Sequence, residues 1–174
     1  MKIQKGTASG KKIGKRIYIN TLFWFLGRSL QVAASIDPVI KEEIDTLPEN
    51  YTFCLVVHPQ GPSMVLSKGS DGFITYKGRI REGQTIDLRL ILHDIEAAML
   101  LLSFKESTAL SAARDRMSIH GSIIHGCTVA RIIDRLEILL LPSFIAKHAV
   151  KRYTSPKKLH SMRARLYVHC IAGH

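Results

Sequence analysis

Between Tyr51 and Gly121 the apolar residues first recur every second position and then every third or fourth. Over Tyr51–His58, Tyr51, Phe53, Leu55 and Val57 alternate with Thr52, Cys54, Val56 and His58. A strand puts successive side chains on opposite faces, so this run predicts a strand with one strongly apolar face. Thr85–Leu92 repeats the pattern, with Ile86, Leu88, Leu90 and Leu92 opposed by Asp87 and Arg89. Two further strands are predicted over 63–68 and 73–77. Pro59–Pro62 turns the chain into the first of them, and Gly69–Gly72 joins the two, its Asp71-Gly72 step suiting the positive φ of tight hairpins. Residues 79–84 form a polar loop, and a short fifth strand is predicted over 116–121.

Helical spacing takes over on either side. Asp94 is placed to cap a helix whose Ile95, Ala98, Met99 and Leu102 share a face. Ser107 opens a second short helix through Arg114. From Ser122 a long helix presents Val129, Ile132, Ile133, Leu136, Leu139 and Leu140 on one side and Arg131, Asp134, Arg135 and Glu137 on the other. Pro142 kinks or restarts it, and Phe144, Ile145, Ala149 and Val150 continue the apolar run. Upstream, Asp37-Pro38 is a cap followed by proline at the first helical position, opening a helix with Val39, Ile40 and Ile44 that ends near Leu47-Pro48. A sheet with one oily face needs helices over it, so the expected class is α/β. The chain divides into a flexible basic tail (1–16), N-terminal amphipathic helices (17–48), the sheet-bearing domain (49–153) and a basic C-terminal helical segment (154–174) carrying Leu159, Met162, Leu166, Tyr167 and Val168.

Composition sharpens this in two ways. With 174 residues and 46% hydrophobic content the chain is one domain plus an extension, large enough for a real core. The net charge of +11 calls for an acidic partner. Thirteen of the 25 basic residues lie at the ends: Lys2, Lys5, Lys11, Lys12, Lys15 and Arg16, then Lys147, Lys151, Arg152, Lys157, Lys158, Arg163 and Arg165. Nucleic-acid binders interleave aromatics with such cations to stack bases. Here the neighbouring Phe23, Trp24 and Phe25, or Leu166, Tyr167 and Val168, belong to amphipathic runs instead. An anionic membrane surface is therefore the expected partner of Lys11, Lys12, Lys15, Arg16, Phe23 and Trp24, with a merely solvated basic surface as the plain alternative. Nucleic acid is not expected. Asn20 and Arg28 interrupt the run from Ile17 to Leu30, which argues against a membrane-spanning helix, and Arg28 sits badly for a signal peptide cut near Val32–Ala34.

Chemistry is sparse. Cys54, Cys127 and Cys170 are odd in number with no CxxC pair, which points to reduced thiols in a cytosolic protein, and the basic amphipathic ends add the expectation of peripheral attachment to membrane. The eight histidines include no HExxH and no metal spacing, so no metal is expected. There is no GxSxG, P-loop or dinucleotide fingerprint and no nucleophile–base spacing, so neither an enzyme nor a cofactor is expected. His93, Asp94 and Glu96 read as a capped helix start.

The order of elements resembles the sterol carrier protein 2 (SCP-2) like lipid-binding domains over about 51–150. The resemblance is carried by Thr-Ile-Asp-Leu-Arg-Leu at 85–90, His-Asp-Ile-Glu-Ala-Ala-Met at 93–99, and Ala-Arg-Asp-Arg-Met-Ser-Ile-His-Gly-Ser at 113–122 with the helix after it. More narrowly, Asp-Arg-Leu-Glu-Ile-Leu-Leu-Leu-Pro-Ser-Phe-Ile-Ala-Lys at 134–147 is similar to a bacterial subgroup related to the lipid-carrier accessory factor of ubiquinone synthesis. The resemblance implies a five-stranded mixed sheet covered by helices that enclose a hydrophobic tunnel, with helical extensions at both ends. It implies no catalytic residue.

From periodicity alone the apolar faces are a packed core. The resemblance makes them a cavity wall: Phe53, Leu55, Val57, Met64, Leu66, Leu88, Leu90, Met99, Leu102, Ile132, Leu136 and Leu140. The implied function is to bind and carry a hydrophobic ligand (a prenyl lipid or quinone precursor, a fatty acyl chain or a sterol-like compound) at the membrane surface. Lipid- or quinone-modifying enzymes would be its protein partners. A non-catalytic scaffold subunit of a lipid-modifying complex is the first alternative, favoured if the interior is filled, and a nucleic-acid-binding protein the second.

Overall fold

A computed structural model describes residues 8–103, 105–140, 162 and 164–168. The elements run α1 (Ala8–Ile36), α2 (Pro38–Asp45), β1 (Thr52–Val57), β2 (Ser63–Lys68), β3 (Ile74–Gly78), β4 (Leu88–Leu92), α3 (Ile95–Leu102), α4 (Thr108–Ala113), β5 (Met117–His120) and α5 (Ile123–Leu140). The strands form one mixed sheet in the order β3-β2-β1-β4-β5. β1 pairs parallel with β4, with Phe53 opposite Leu88 and Leu55 opposite Leu90, and every other pairing is antiparallel. The α/β class and the five-stranded mixed sheet are those expected.

Period-two alternation decides which face is covered. Tyr51, Phe53, Leu55 and Val57 are buried, as are Leu88, Leu90 and Leu92, and all join one core with the inner faces of α1, α2, α3 and α5. The opposite face of the sheet carries Thr52, Val56 and Ile91, all half-buried, and the exposed Arg89. The Gly69–Gly72 hairpin is closed by Gly69 N donating to Phe73 O at 2.9 Å, with Gly72 at φ +79°.

The N-terminus differs from expectation. α1 is a single helix from Ala8, so residues 8–16 are helical and not a loose tail, and the helix continues past Leu30 to Ile36. Two glycines in that stretch each cost about 1 kcal/mol. A helix already nucleated and packed downstream propagates through them, because each added residue brings a hydrogen bond. Ile19, Phe23, Leu26, Leu30 and Ala33 are its buried stripe. Gly27 permits the close approach to β3, since a Cβ there would fall 2.4 Å from the Tyr76 ring.

Caps behave as the local sequence requires. Asp37 accepts from Val39 N at 2.9 Å, Asp94 from Ala97 N at 2.7 Å and Ser107 from Leu110 N at 3.3 Å. The buried Lys68 serves the C-terminus of α2, donating to Ile44 O at 3.0 Å and Leu47 O at 2.5 Å. A cation there meets both the orphan carbonyls and the negative end of the helix dipole. Arg131 and Arg135, expected on a solvent face of α5, instead tie it to the helices before it. Arg131 makes a two-pronged pair with Glu43 at 2.8 Å, and Arg135 Nε donates to the buried Asp37 at 2.9 Å.

Near the C-terminus, residues 164–168 are helical. Leu166 is fully buried there, and Tyr167 Oη donates to Leu140 O at 2.6 Å. The expected continuation of the long helix through Phe144, Ile145, Ala149 and Val150 lies outside the described residues, as do Leu159 and the basic residues between 147 and 158.

Candidate functional site

The space between sheet and helices is the place where an apolar ligand could be enclosed. Leu26 of α1, Leu55 of β1, Met64 of β2, Leu101 and Leu102 of α3, and Ile133 and Glu137 of α5 surround a cavity of about 10 Å³. That is room for roughly one water molecule. Ligand pockets for lipid-sized molecules run to roughly 300 Å³ and above. Among the described residues this enclosed space holds no more than that one water, and they show no tunnel.

The sequence-predicted cavity residues divide on inspection. Leu55, Met64 and Leu102 line the cavity. Phe53, Val57, Leu66, Leu88, Leu90, Ile132, Leu136 and Leu140 are buried in the same core without reaching it. Met99 is half-buried, because α3 is rotated from the expected face and buries Ala97, Ala98, Leu101 and Leu102. Leu101 thus takes a wall position that the resemblance implied for Met99.

Glu137 is the residue that sequence reasoning placed wrongly. It was expected on the polar side of α5, yet it is 2% exposed. Burial first, and then the nearby Asp134, push its carboxyl up to about 9. Asp134 is itself raised, first by burial, against the lowering effect of its hydrogen bond from Thr108 Oγ1 at 3.2 Å. At neutral pH Glu137 is therefore an uncharged acid, able to donate one hydrogen bond, set in the wall of an apolar void. A signal existed in the sequence: Leu136, Ile138, Leu139 and Leu140 are all apolar, so the last turns of α5 carry hydrophobic residues almost all round. A helix of that kind is buried on every side.

Of the residues expected at a membrane, Trp24 is 51% exposed, Arg16 is exposed and Lys15 is half-buried and paired with Glu96. Phe23 is a correction. It has no exposed surface and packs in the core, because it falls on the buried stripe of α1 one position away from Trp24. The side chains of Lys11 and Lys12 lie outside the described residues. Among the described residues, no helix is long and apolar enough to cross a membrane.

One pairing was not foreseen: His93 Nε2 and Ser118 Oγ share a hydrogen bond across β4 and β5. The adjacent Asp94 is committed to capping α3 and does not orient the imidazole. The pair lacks the third member of a nucleophilic triad.

No family model matches the sequence, and no curated protein does. Among solved structures, a conserved hypothetical protein of Thermus thermophilus aligns over 76% of this chain and 90% of its own, at 15% identity and a TM-score of 0.48. A UbiJ-SCP2 ubiquinone synthesis protein aligns over 73% of this chain and 98% of its own, at 18% identity and a TM-score of 0.43. Sterol carrier protein 2 of Yarrowia lipolytica, in its apo form, aligns over 63% and 88%, at 14% identity and a TM-score of 0.40. The last two are of the group that the sequence resembles. Likenesses this distant carry no ligand and no residue role to this chain.

Proposed function

We propose that this domain binds and carries a hydrophobic molecule by enclosing its tail between the sheet and the covering helices. A prenyl lipid or quinone precursor, a fatty acyl chain and a sterol-like compound all have the required chemistry. The observation that carries the reading is the void at Leu55, Met64, Leu102 and Glu137: an apolar wall with one uncharged carboxyl in it. Each buried CH₂ of a tail gains about 0.8 kcal/mol, so a chain of a dozen carbons has roughly 10 kcal/mol to set against opening the interior. The short helix α3 and the long α1 that packs on it are the elements that would part. Met64, unbranched and polarisable, suits a wall that accepts several tail shapes. The carboxyl of Glu137 would donate to a carbonyl or hydroxyl on the ligand, an interaction that a purely apolar wall lacks. The protein would act at a membrane surface.

The test is uptake. Native mass spectrometry of the protein as expressed, followed by solvent extraction, should show a bound prenyl, quinone or acyl species. Delipidated protein should take up an added prenyl alcohol, and Leu102→Phe, whose smaller added volume takes up the void, should lower that uptake at least about tenfold in a variant whose unfolding midpoint matches the parent's. A protein that never carries or accepts lipid sinks the carrier reading.

A second reading is favoured by how little space the described residues enclose at this void: a non-catalytic scaffold that uses the same fold with a collapsed cavity and presents its helices to lipid- or quinone-modifying enzymes. It is supported if the protein ignores lipids while Leu102→Phe leaves its assembly with partner enzymes unchanged.

A further inference from the structure

A different cavity lies on the outer side of α1. It measures about 190 Å³ and is lined by Arg16, Ile17 and Asn20 of α1, Gly61 and Pro62 of the β1–β2 turn, and Arg79 just past β3. Both guanidinium groups are held in place without being neutralised. Arg16 Nη2 donates to the Gln60 carbonyl, and Arg79 Nε donates to Asn20 Oδ1 at 3.1 Å. Ion pairs among the described residues engage Lys15, Arg114, Arg116, Arg131 and Arg135, and neither Arg16 nor Arg79. A guanidinium has five N–H donors, so most donors on each arginine remain for a ligand. Two planar forks facing one cavity match the oxygens of a phosphate group better than any carboxylate-poor surface of lysines would.

The surroundings indicate where such a phosphate comes from. Ile13 is 54% exposed, Ile17 62% and Trp24 51%, and their spacing puts them along one outward stripe of α1. Ile17 is both a wall of the cavity and part of that stripe. Exposed apolar side chains beside an unneutralised cationic cleft suit an interface in which phosphate oxygens lie next to hydrocarbon. We propose that the Arg16–Arg79 cavity is a binding site for the phosphate group of an anionic phospholipid in a bilayer, with Ile13, Ile17 and Trp24 entering the acyl boundary beside it. This site is separate from the interior void. It stands even if the carrier reading fails, because a scaffold could dock on membrane in the same way.

The experiment is co-sedimentation of the full chain with phosphatidylcholine vesicles containing phosphatidylglycerol, and with phosphatidylcholine alone. Arg16 and Arg79 are exposed, so their variants leave the core intact. Arg16→Gln with Arg79→Gln should weaken binding to the anionic vesicles by about 25-fold, from about fivefold per cation. The charge-conserving pair Arg16→Lys with Arg79→Lys should still lose at least about threefold, since lysine lacks the fork. Arg89→Lys, on the far face of the sheet, should bind as the parent does. If the lysine pair at 16 and 79 also binds as the parent does, only a diffuse positive field is at work and the proposal is overturned. Inorganic phosphate titrated without vesicles, read from the arginine Nε–H resonances, separates the two sources of phosphate. Saturation by free phosphate, together with vesicle binding indifferent to both Arg pairs and to Ile17→Asn, would mark a soluble phosphate ligand and overturn the lipid assignment. Loss of vesicle binding in Ile17→Asn with phosphate binding retained supports it.

Discussion

Glu106 and Glu137 are both buried carboxyl groups, 6% and 2% exposed, and the fold treats them in opposite ways. Glu106, between α3 and α4, receives Arg114 and Arg116 on the same oxygen, the second at 2.8 Å, with Ser111 Oγ at 3.5 Å on the other. Both arginines are partly exposed, so their charge stays hydrated on one side while neutralising the acid on the other. Among the described residues no ion pair engages Glu137. A charge that does act on it is another acid, Asp134, and it meets burial by keeping its proton. The difference separates a structural carboxylate from a poised acid. A protein that only needed stability would have little reason to put an unpaired acid against an apolar void, because a hydrophobic residue there is cheaper.

The largest effect that would test this contrast is pH-dependent. Free glutamate loses its proton near pH 4.3, whereas folded Glu137 holds it to about 9, so between those values the folded state binds one more proton than the unfolded state. Stability contributed this way is complete below the unfolded value and falls as pH rises, by about 1.4 kcal/mol per unit, until the folded value is passed. From about pH 5 to about pH 8 the parent should lose roughly 4 kcal/mol relative to Glu137→Gln, read from urea unfolding midpoints. Parallel pH curves would show that Glu137 is not held neutral.

Next in size is the paired substitution to leucine. Glu137→Leu should raise stability at neutral pH by about 2 kcal/mol, whereas Glu106→Leu should lower it by about as much, since charge-assisted bonds to two arginines are lost. Thermal denaturation of both variants reads the two signs directly, and equal signs would end the comparison. The smallest effect concerns Asp134. It is the lesser cause of the Glu137 shift after burial. Asp134→Asn should therefore lower the titration midpoint of Glu137 by less than half of its total displacement from the free value, followed by carboxyl carbon NMR, and a fall of more than half would mean that repulsion outweighs desolvation.

Most of the fold was legible because its signals are local. Alternation over Tyr51–Val57 and Leu88–Leu92 named the inward face of the sheet, and Asp37, Asp94 and Ser107 marked helix starts through bonds that span two or three residues. The apolar face of α5 was read correctly from Val129 to Leu140. Errors came where a neighbouring element decided the outcome. Basic residues at 8–16 read as a tail because nothing nearby in sequence shows that α1 continues through them. Phe23 and Trp24 are adjacent and both aromatic, and only the packing of α1 on the sheet sends one inside and the other out. The α3 face shifted from Met99 to Leu101 because an eight-residue helix has too few turns for spacing to fix its rotation.

The candidate sites divide along the same line. By itself the sequence determined that an apolar sheet face would be covered by apolar helices, that both ends would be basic, and that no familiar catalytic spacing was present. All of these depend on residue type and on distances of a few positions. Tertiary structure alone decided that the enclosed space closes to about 10 Å³, that Glu137 faces it with its proton kept, and that Arg16 meets Arg79 across a cleft. Burial and electrostatics are sums over everything packed around a group. The apolar last turns of α5 signal the burial of Glu137, but the void it faces is walled by α1, β1, β2 and α3, and Arg16 meets a residue from the end of β3, so no pattern within one segment could have disclosed either site.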